Sequence, residues 1–130
     1  MHYRDKYEDA EQAIEFLEIA FKAWGRDIAY SRLWGNLNLT LCMWLYRRLV
    51  LGVGMNNYSR AKRFTREEFT KCLMSLSASS DYIDWLLGRN HLSRDNSPAY
   101  ARIKTIFAKR MEVETGAKIL MPGPAWAVSK

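Results

Sequence analysis

Carboxylates and arginines recur in this sequence at spacings that can do chemistry. Glu8, Glu11, Glu15 and Glu18 fall on one side of the first helical segment. Acid rows of this kind, set on facing helices, hold pairs of metal ions when Glu-x-x-His pairs complete the shell. The only histidines are His2 and His91, and neither lies three residues after a glutamate, so no metal is expected. The row reads as a solvated helix face, whose like charges at four-residue spacing disfavour the helix unless cations lie nearby.

Nucleophile and phosphate signatures are absent. There is no Gly-x-Ser-x-Gly, no Cys-x-x-Cys and no Walker sequence, and the Gly52-Val53-Gly54 triplet lacks the third glycine of a dinucleotide fingerprint. His91 sits in a polar stretch beside Arg89, Arg94 and Asp95 and reads as an ordinary loop histidine. No catalytic residue and no cofactor are expected, and the chain is read as a non-enzyme.

The arginines say more. From Ser31 to Arg66 the chain carries basic residues and not one acid, whereas acids outnumber bases between Met1 and Tyr30. The stretch "RAKRFTREEF" places Arg60, Lys62, Arg63 and Arg66 around a helix start. Unpaired backbone N–H groups and the helix dipole favour an anion there. Tyr58 and Phe64 supply aromatic faces of the kind that stack on unpaired bases. Arg66, a cation in a first helical turn, opposes the dipole and needs a counter-charge from Glu67, Glu68 or a bound anion.

A second basic set surrounds the last helical segment. Arg102 and Lys109, seven residues apart, share one side of it, and Asn96, Ser97 and Tyr100 at its start have the types that read base edges. The "RNHLSRDNS" connection before it exceeds the three or four residues of a helix-turn-helix. The leading expectation is a nucleic-acid-binding protein that uses the Arg60–Arg66 loop, assisted by the last helix. The alternative is a protein-interaction module: an adaptor, an inhibitor of another macromolecule, or a self-associating subunit. Five tryptophans, seven tyrosines and six methionines support it, because such residues are enriched at interfaces. Trp126, in the proline-bearing tail "PGPAWAV", is its clearest candidate contact.

The elements that must position these residues are helical. Apolar or small residues at Ala10, Ala13, Ile14, Leu17, Ala20, Phe21 and Trp24 keep a three-and-four spacing and predict a helix over 5–24 with that face inward, stopped by Gly25. A second helix is expected over 31–51, apolar on nearly every side and therefore buried at the centre. Thr65 with Glu68, flanked by Phe64 and Phe69, forms a capping box with a hydrophobic staple and starts a third helix. Ser79 or Ser80 caps a fourth that ends at Gly88, and Ser97 followed by Pro98 starts a fifth that ends at Gly116. Tyr100, Ile103, Phe107 and Met111 mark the inner face of the fifth.

The expected fold is all-α: one irregular bundle of about five helices over residues 1–130, the second helix buried and 116–130 an extended tail. A chain of 130 residues buries enough surface to hold such a core. The most apolar run, Leu41 to Tyr46, is too short to span a bilayer, and Arg47 and Arg48 follow it directly, so no membrane partner is expected. Cys42 and Cys72 lie in apolar surroundings and read as buried thiols. With no apolar leader at the N-terminus, the expected compartment is the cytoplasm.

Overall fold

A computed structural model describes residues 3–54, 63–88 and 96–124, and gives the backbone alone for 3–8, 28 and 29. The described residues form five α-helices and one 3-10 segment, with no strand among them. In chain order these are α1 (Tyr3–Trp24), the 3-10 segment Ile28–Trp34, α2 (Asn36–Leu49), α3 (Arg66–Ala78), α4 (Ser80–Leu87) and α5 (Ser97–Thr115). No helix among the described residues is long and apolar enough to cross a membrane.

Local chemistry explains most of the boundaries. Thr65 caps α3 with a full capping box: its hydroxyl accepts from the Glu68 N–H at 3.0 Å, and Glu68 Oε1 accepts from the Thr65 N–H at 2.9 Å. Phe64 and Phe69 are both buried at the two staple positions. Ser79 closes α3 and caps α4, its hydroxyl accepting from the Tyr82 N–H at 3.2 Å. Gly25 and Gly116 stop α1 and α5 in the left-handed region, at φ 65° and 75°.

Two boundaries differ from the sequence expectation. The second helix does not begin near Ser31: Gly35 is extended at ψ 155°, and the residues before it wind as 3-10 turns with a kink at Tyr30. Leu33 and Trp34 therefore pack from a separate short element. The cap of α5 is Asn96, whose carbonyl accepts from the Tyr100 N–H at 2.9 Å, so Ser97 already lies inside the helix.

Helix α3, rather than α2, holds the middle of the bundle by packing on α1, α4 and α5, and α2, largely buried, closes the remaining side against the 3-10 segment, α1 and α5. Leu41, Cys42, Leu45, Tyr46 and Leu49 of α2 are buried, while Leu37, Leu39, Met43 and Trp44 are half-buried, as its all-round apolar sequence requires. At the centre, Phe69 meets the rings of Phe16, Tyr46 and Phe107. Four helices thus share one aromatic cluster, and its tilted and edge-on contacts are the favoured ring geometry.

The inner face of α1 needs correction. Phe16, Ala20 and Trp24 enter the core, and the Trp24 indole donates to the Leu73 carbonyl at 2.8 Å. Ile14, Leu17 and Phe21, expected to be inside, are exposed. The helix carries two adjoining apolar stripes, and the bundle covers only one of them.

Candidate functional site

The cations sort by what they touch. Arg47 pairs with Asp9 at 3.2 Å, Lys71 with Glu114 at 3.2 Å, and Arg110 with Glu114 at 2.7 Å. Arg66 pairs with Glu15 at 2.5 Å, and Glu15 also accepts a hydrogen bond from the Tyr46 hydroxyl. The counter-charge that Arg66 requires is therefore Glu15 of α1, which the sequence offers only as one member of a solvated row. The middle basic block neutralises one member of that row, Glu15, through Arg66, and the neighbouring Asp9 through Arg47.

The Tyr46 hydrogen bond holds the Glu15 carboxyl below the ordinary value of 4.5; burial opposes this, and Arg66 adds to it. Arg66 is raised in turn by its bond to Glu15, and Tyr46 by burial first and then by Glu15. A depressed carboxyl stabilises the fold above its unfolded pKa, and that stabilisation is lost as pH falls through the folded value. The group is partly solvated, so screening limits its worth to about 1 kcal/mol. Glu15→Gln should accordingly unfold at lower denaturant than the parent at pH 7. The two midpoints should converge as titration proceeds below 4.5. A gap unchanged down to the acid limit would contradict the role given to this carboxylate.

Other cations rest on rings or glycines and have no acidic partner among the described residues. Arg48 lies 5.0 Å over the Trp44 ring, Trp44 meets Tyr100 edge-on at 5.7 Å, and Lys104 lies 5.9 Å from the Tyr100 ring on the same ladder. Two aromatic-to-cation steps of four residues, Trp44 to Arg48 and Tyr100 to Lys104, build it from α2 and α5. Arg48 also reaches Gly54, and the Arg63 guanidinium covers Gly52, where a Cβ would collide with it. Both glycines have positive φ, so the turn and the two arginines over it form one unit. The Arg48 Nε is buried without an acceptor; the same is true of Arg47 and Arg110, whose outer nitrogens are ion-paired.

At the far end of the ladder, Lys104, Lys109 and Lys118 line a groove of about 490 Å³ between α5 and the segment that follows it, with Ile119, Leu120 and Met121. Glu112 is the acid in that groove, and it forms no ion pair among the described residues. The Tyr100 hydroxyl donates to the Pro122 carbonyl and ties this segment down. Burial pushes the same hydroxyl up to about 12, so it stays a donor at neutral pH.

Of the residues singled out in the sequence, Tyr58, Arg60, Lys62, Trp126 and His91 lie outside the described residues. Arg63 and Lys109 join the cationic surface. Arg66 is paired within the fold. Arg102 shares the outer side of α5 with Lys109 but turns to α4, 4.6 Å over the Trp85 ring, beside a cleft of about 510 Å³ that Asp81 also lines. Tyr100 is buried and does not present its edge outward.

Sequence reading missed Arg48, Lys104 and Lys118. A signal was present for the first two: each follows an aromatic residue by four positions on a helix, and α2 contains no acid to neutralise Arg48. Cys42 and Cys72 are free and buried, with the Cys72 thiol pushed up to about 12 by burial, which favours the protonated form at neutral pH. No group of metal-ligating side chains occurs among the described residues. No family model, curated protein or solved structure matches the chain.

Proposed function

We propose that the protein is a non-enzymatic nucleic-acid-binding domain that grips a phosphate backbone along the surface running from Arg63 through Arg48 and Lys104 to Lys109 and Lys118. The observation that carries this reading is the sorting of charge. Arg47, Arg66, Lys71 and Arg110 meet carboxylates, while these five meet rings, glycines and solvent and lie together. Uncompensated cations in a contiguous run are the electrostatic footprint of a polyanion partner. The described chain stops on this surface at Gly54 and resumes on it at Arg63.

Phosphate contact is favoured over base stacking. Trp44 already carries Arg48 and abuts Tyr100, and Tyr100 is buried, so neither ring offers a free face. Binding is then expected to depend weakly on sequence and strongly on salt. The two buried free thiols suit a reducing compartment such as the cytoplasm.

Fluorescence anisotropy with labelled duplex and single-stranded probes tests the reading. If about four phosphates are neutralised, affinity for duplex should fall about 100-fold between 50 and 200 mM salt. Replacing Arg48, Lys104, Lys109 and Lys118 together by Ala should weaken low-salt binding at least about tenfold and flatten that dependence. Arg66→Ala, which removes a charge already matched by Glu15, should leave affinity unchanged. Wild-type affinity in the quadruple variant would overturn the proposal.

A further inference from the structure

Helix α1 shows a second apolar stripe that the bundle leaves uncovered. Ile14, Leu17 and Phe21 are exposed over 58, 43 and 47% of their surface, and Ala10, also exposed, continues the line. Their spacing of four, three and four residues is the seam of a helix that packs along another helix. The stripe runs at its C-terminal end into a shallow hollow of about 520 Å³ formed by Phe21, Gly25, Arg26, Asp27, Ser31 and Trp34. Aromatic and aliphatic surface of this extent, leading into a concavity, is unusual on a surface that only meets water.

Charge selects the occupant. Glu11 and Glu18 follow Ala10 and Leu17 by one residue each and so flank the stripe at the same register one heptad apart; both are exposed and neither forms an ion pair among the described residues. A second copy of α1 laid antiparallel would set Glu11 against the Glu18 of its partner, and a parallel copy would bring to them the side that bears the half-buried Ala13 and the buried Ala20. Neither arrangement supplies a cation. Lys22 lies farther round the helix, and Arg26 sits over the Phe21 ring at 5.3 Å, at the end of the stripe away from the two glutamates.

We propose that the outer face of α1 docks a basic amphipathic helix of a partner protein, its apolar residues seated on Ile14, Leu17 and Phe21 and its lysines or arginines on Glu11 and Glu18. This surface is independent of the cationic one, and together they would let the protein join a polyanion to a partner.

Isothermal titration with two synthetic amphipathic peptides tests this. Both carry leucines at the seam spacing; one has lysines at the flanking positions and the other glutamates. The lysine peptide should bind at least about tenfold more tightly, although the chain itself has a net charge of +6 that repels it in general. Leu17→Asp should abolish binding while circular dichroism shows the helical fold retained, since Leu17 is exposed. Glu11→Lys with Glu18→Lys should transfer the preference to the glutamate peptide. The proposal is overturned if neither peptide binds, if both bind equally, or if Leu17→Asp leaves binding intact. A dimer in sedimentation that Leu17→Asp dissociates would also overturn it, by assigning the face to a second copy.

Discussion

Phe69→Ala should lower the unfolding free energy by about 4 kcal/mol, the largest effect of any single truncation in this fold. The ring is fully buried and meets Tyr46 at 5.3 Å, Phe107 at 5.5 Å and Phe16 at 6.5 Å. Those partners belong to α2, α5 and α1, so the cavity would open where four helices converge, and no single side chain could move to fill it. The lost transfer energy and the unfilled volume then add. Domains of this kind have a total stability of about 5–15 kcal/mol, so the variant should sit near the edge of folding at 25 °C. Urea titration followed by far-ultraviolet circular dichroism measures the change. Met74→Ala on the same helix is the control: Met74 is 51% exposed, and its loss should cost less than about 0.5 kcal/mol. A Phe69→Ala cost below about 2 kcal/mol would mean that the cluster is not what organises the bundle.

The second large effect is expected at Asn38, a fully buried polar residue among the core hydrophobics. Its amide donates to the Leu33 carbonyl at 2.9 Å, and its carbonyl accepts from the Tyr82 hydroxyl at 2.6 Å and more distantly from the Cys42 thiol at 3.8 Å. One side chain on α2 thereby fastens the 3-10 segment and α4. Asn38→Leu keeps the volume but strands a buried hydroxyl and a buried carbonyl, at about 1–3 kcal/mol for each group left unsatisfied. The double variant with Tyr82→Phe should recover part of that loss, because the stranded hydroxyl is then gone.

Asn38→Asp distinguishes hydrogen bonding from packing. An ionised carboxylate there would face the Leu33 carbonyl in apolar surroundings, which raises its folded pKa. An acid with a raised folded pKa destabilises progressively as pH climbs above its unfolded value. This variant should therefore be weaker relative to the parent at pH 7 than at pH 4. A gap independent of pH would show that the amide's donor bond matters little.

Asn38 also shows how far a sequence can be read. It lies in "WGNLNLTLC", where the apolar periodicity is plain and the one polar residue that enters the core looks no different from Asn36, which is exposed. Periodicity reports which residues share a face, not which polar side chain will find two partners. Helix α1 makes the same point with apolar residues. Phe16, Ala20 and Trp24 form one stripe, Ile14, Leu17 and Phe21 another, and the spacing of either satisfies a helix equally well. Only the position of α3, fixed in part by the Trp24 bond to Leu73, decides which is core.

The cationic surface was half legible. Arg63 and Lys109 stood out in the sequence as unexplained charge, and they remain so in the fold. Arg66 stood out as needing a counter-charge from Glu67, Glu68 or a bound anion, but it meets Glu15, which is 51 residues away. Arg48 and Lys104 carried no expectation of their own, and it is Trp44 and Tyr100 that bring them together from two helices.

What the sequence determined by itself is settled within about four residues: the all-helical class, the capping box at Thr65, a serine cap at Ser79 or Ser80, and the stops at Gly25 and Gly116. Those interactions form inside one turn, so residue type and spacing suffice to specify them. What only the tertiary structure decided is which of two apolar faces is buried and which charges are matched. Both depend on neighbours far along the chain, whose approach is set by the packing of whole helices rather than by any local pattern.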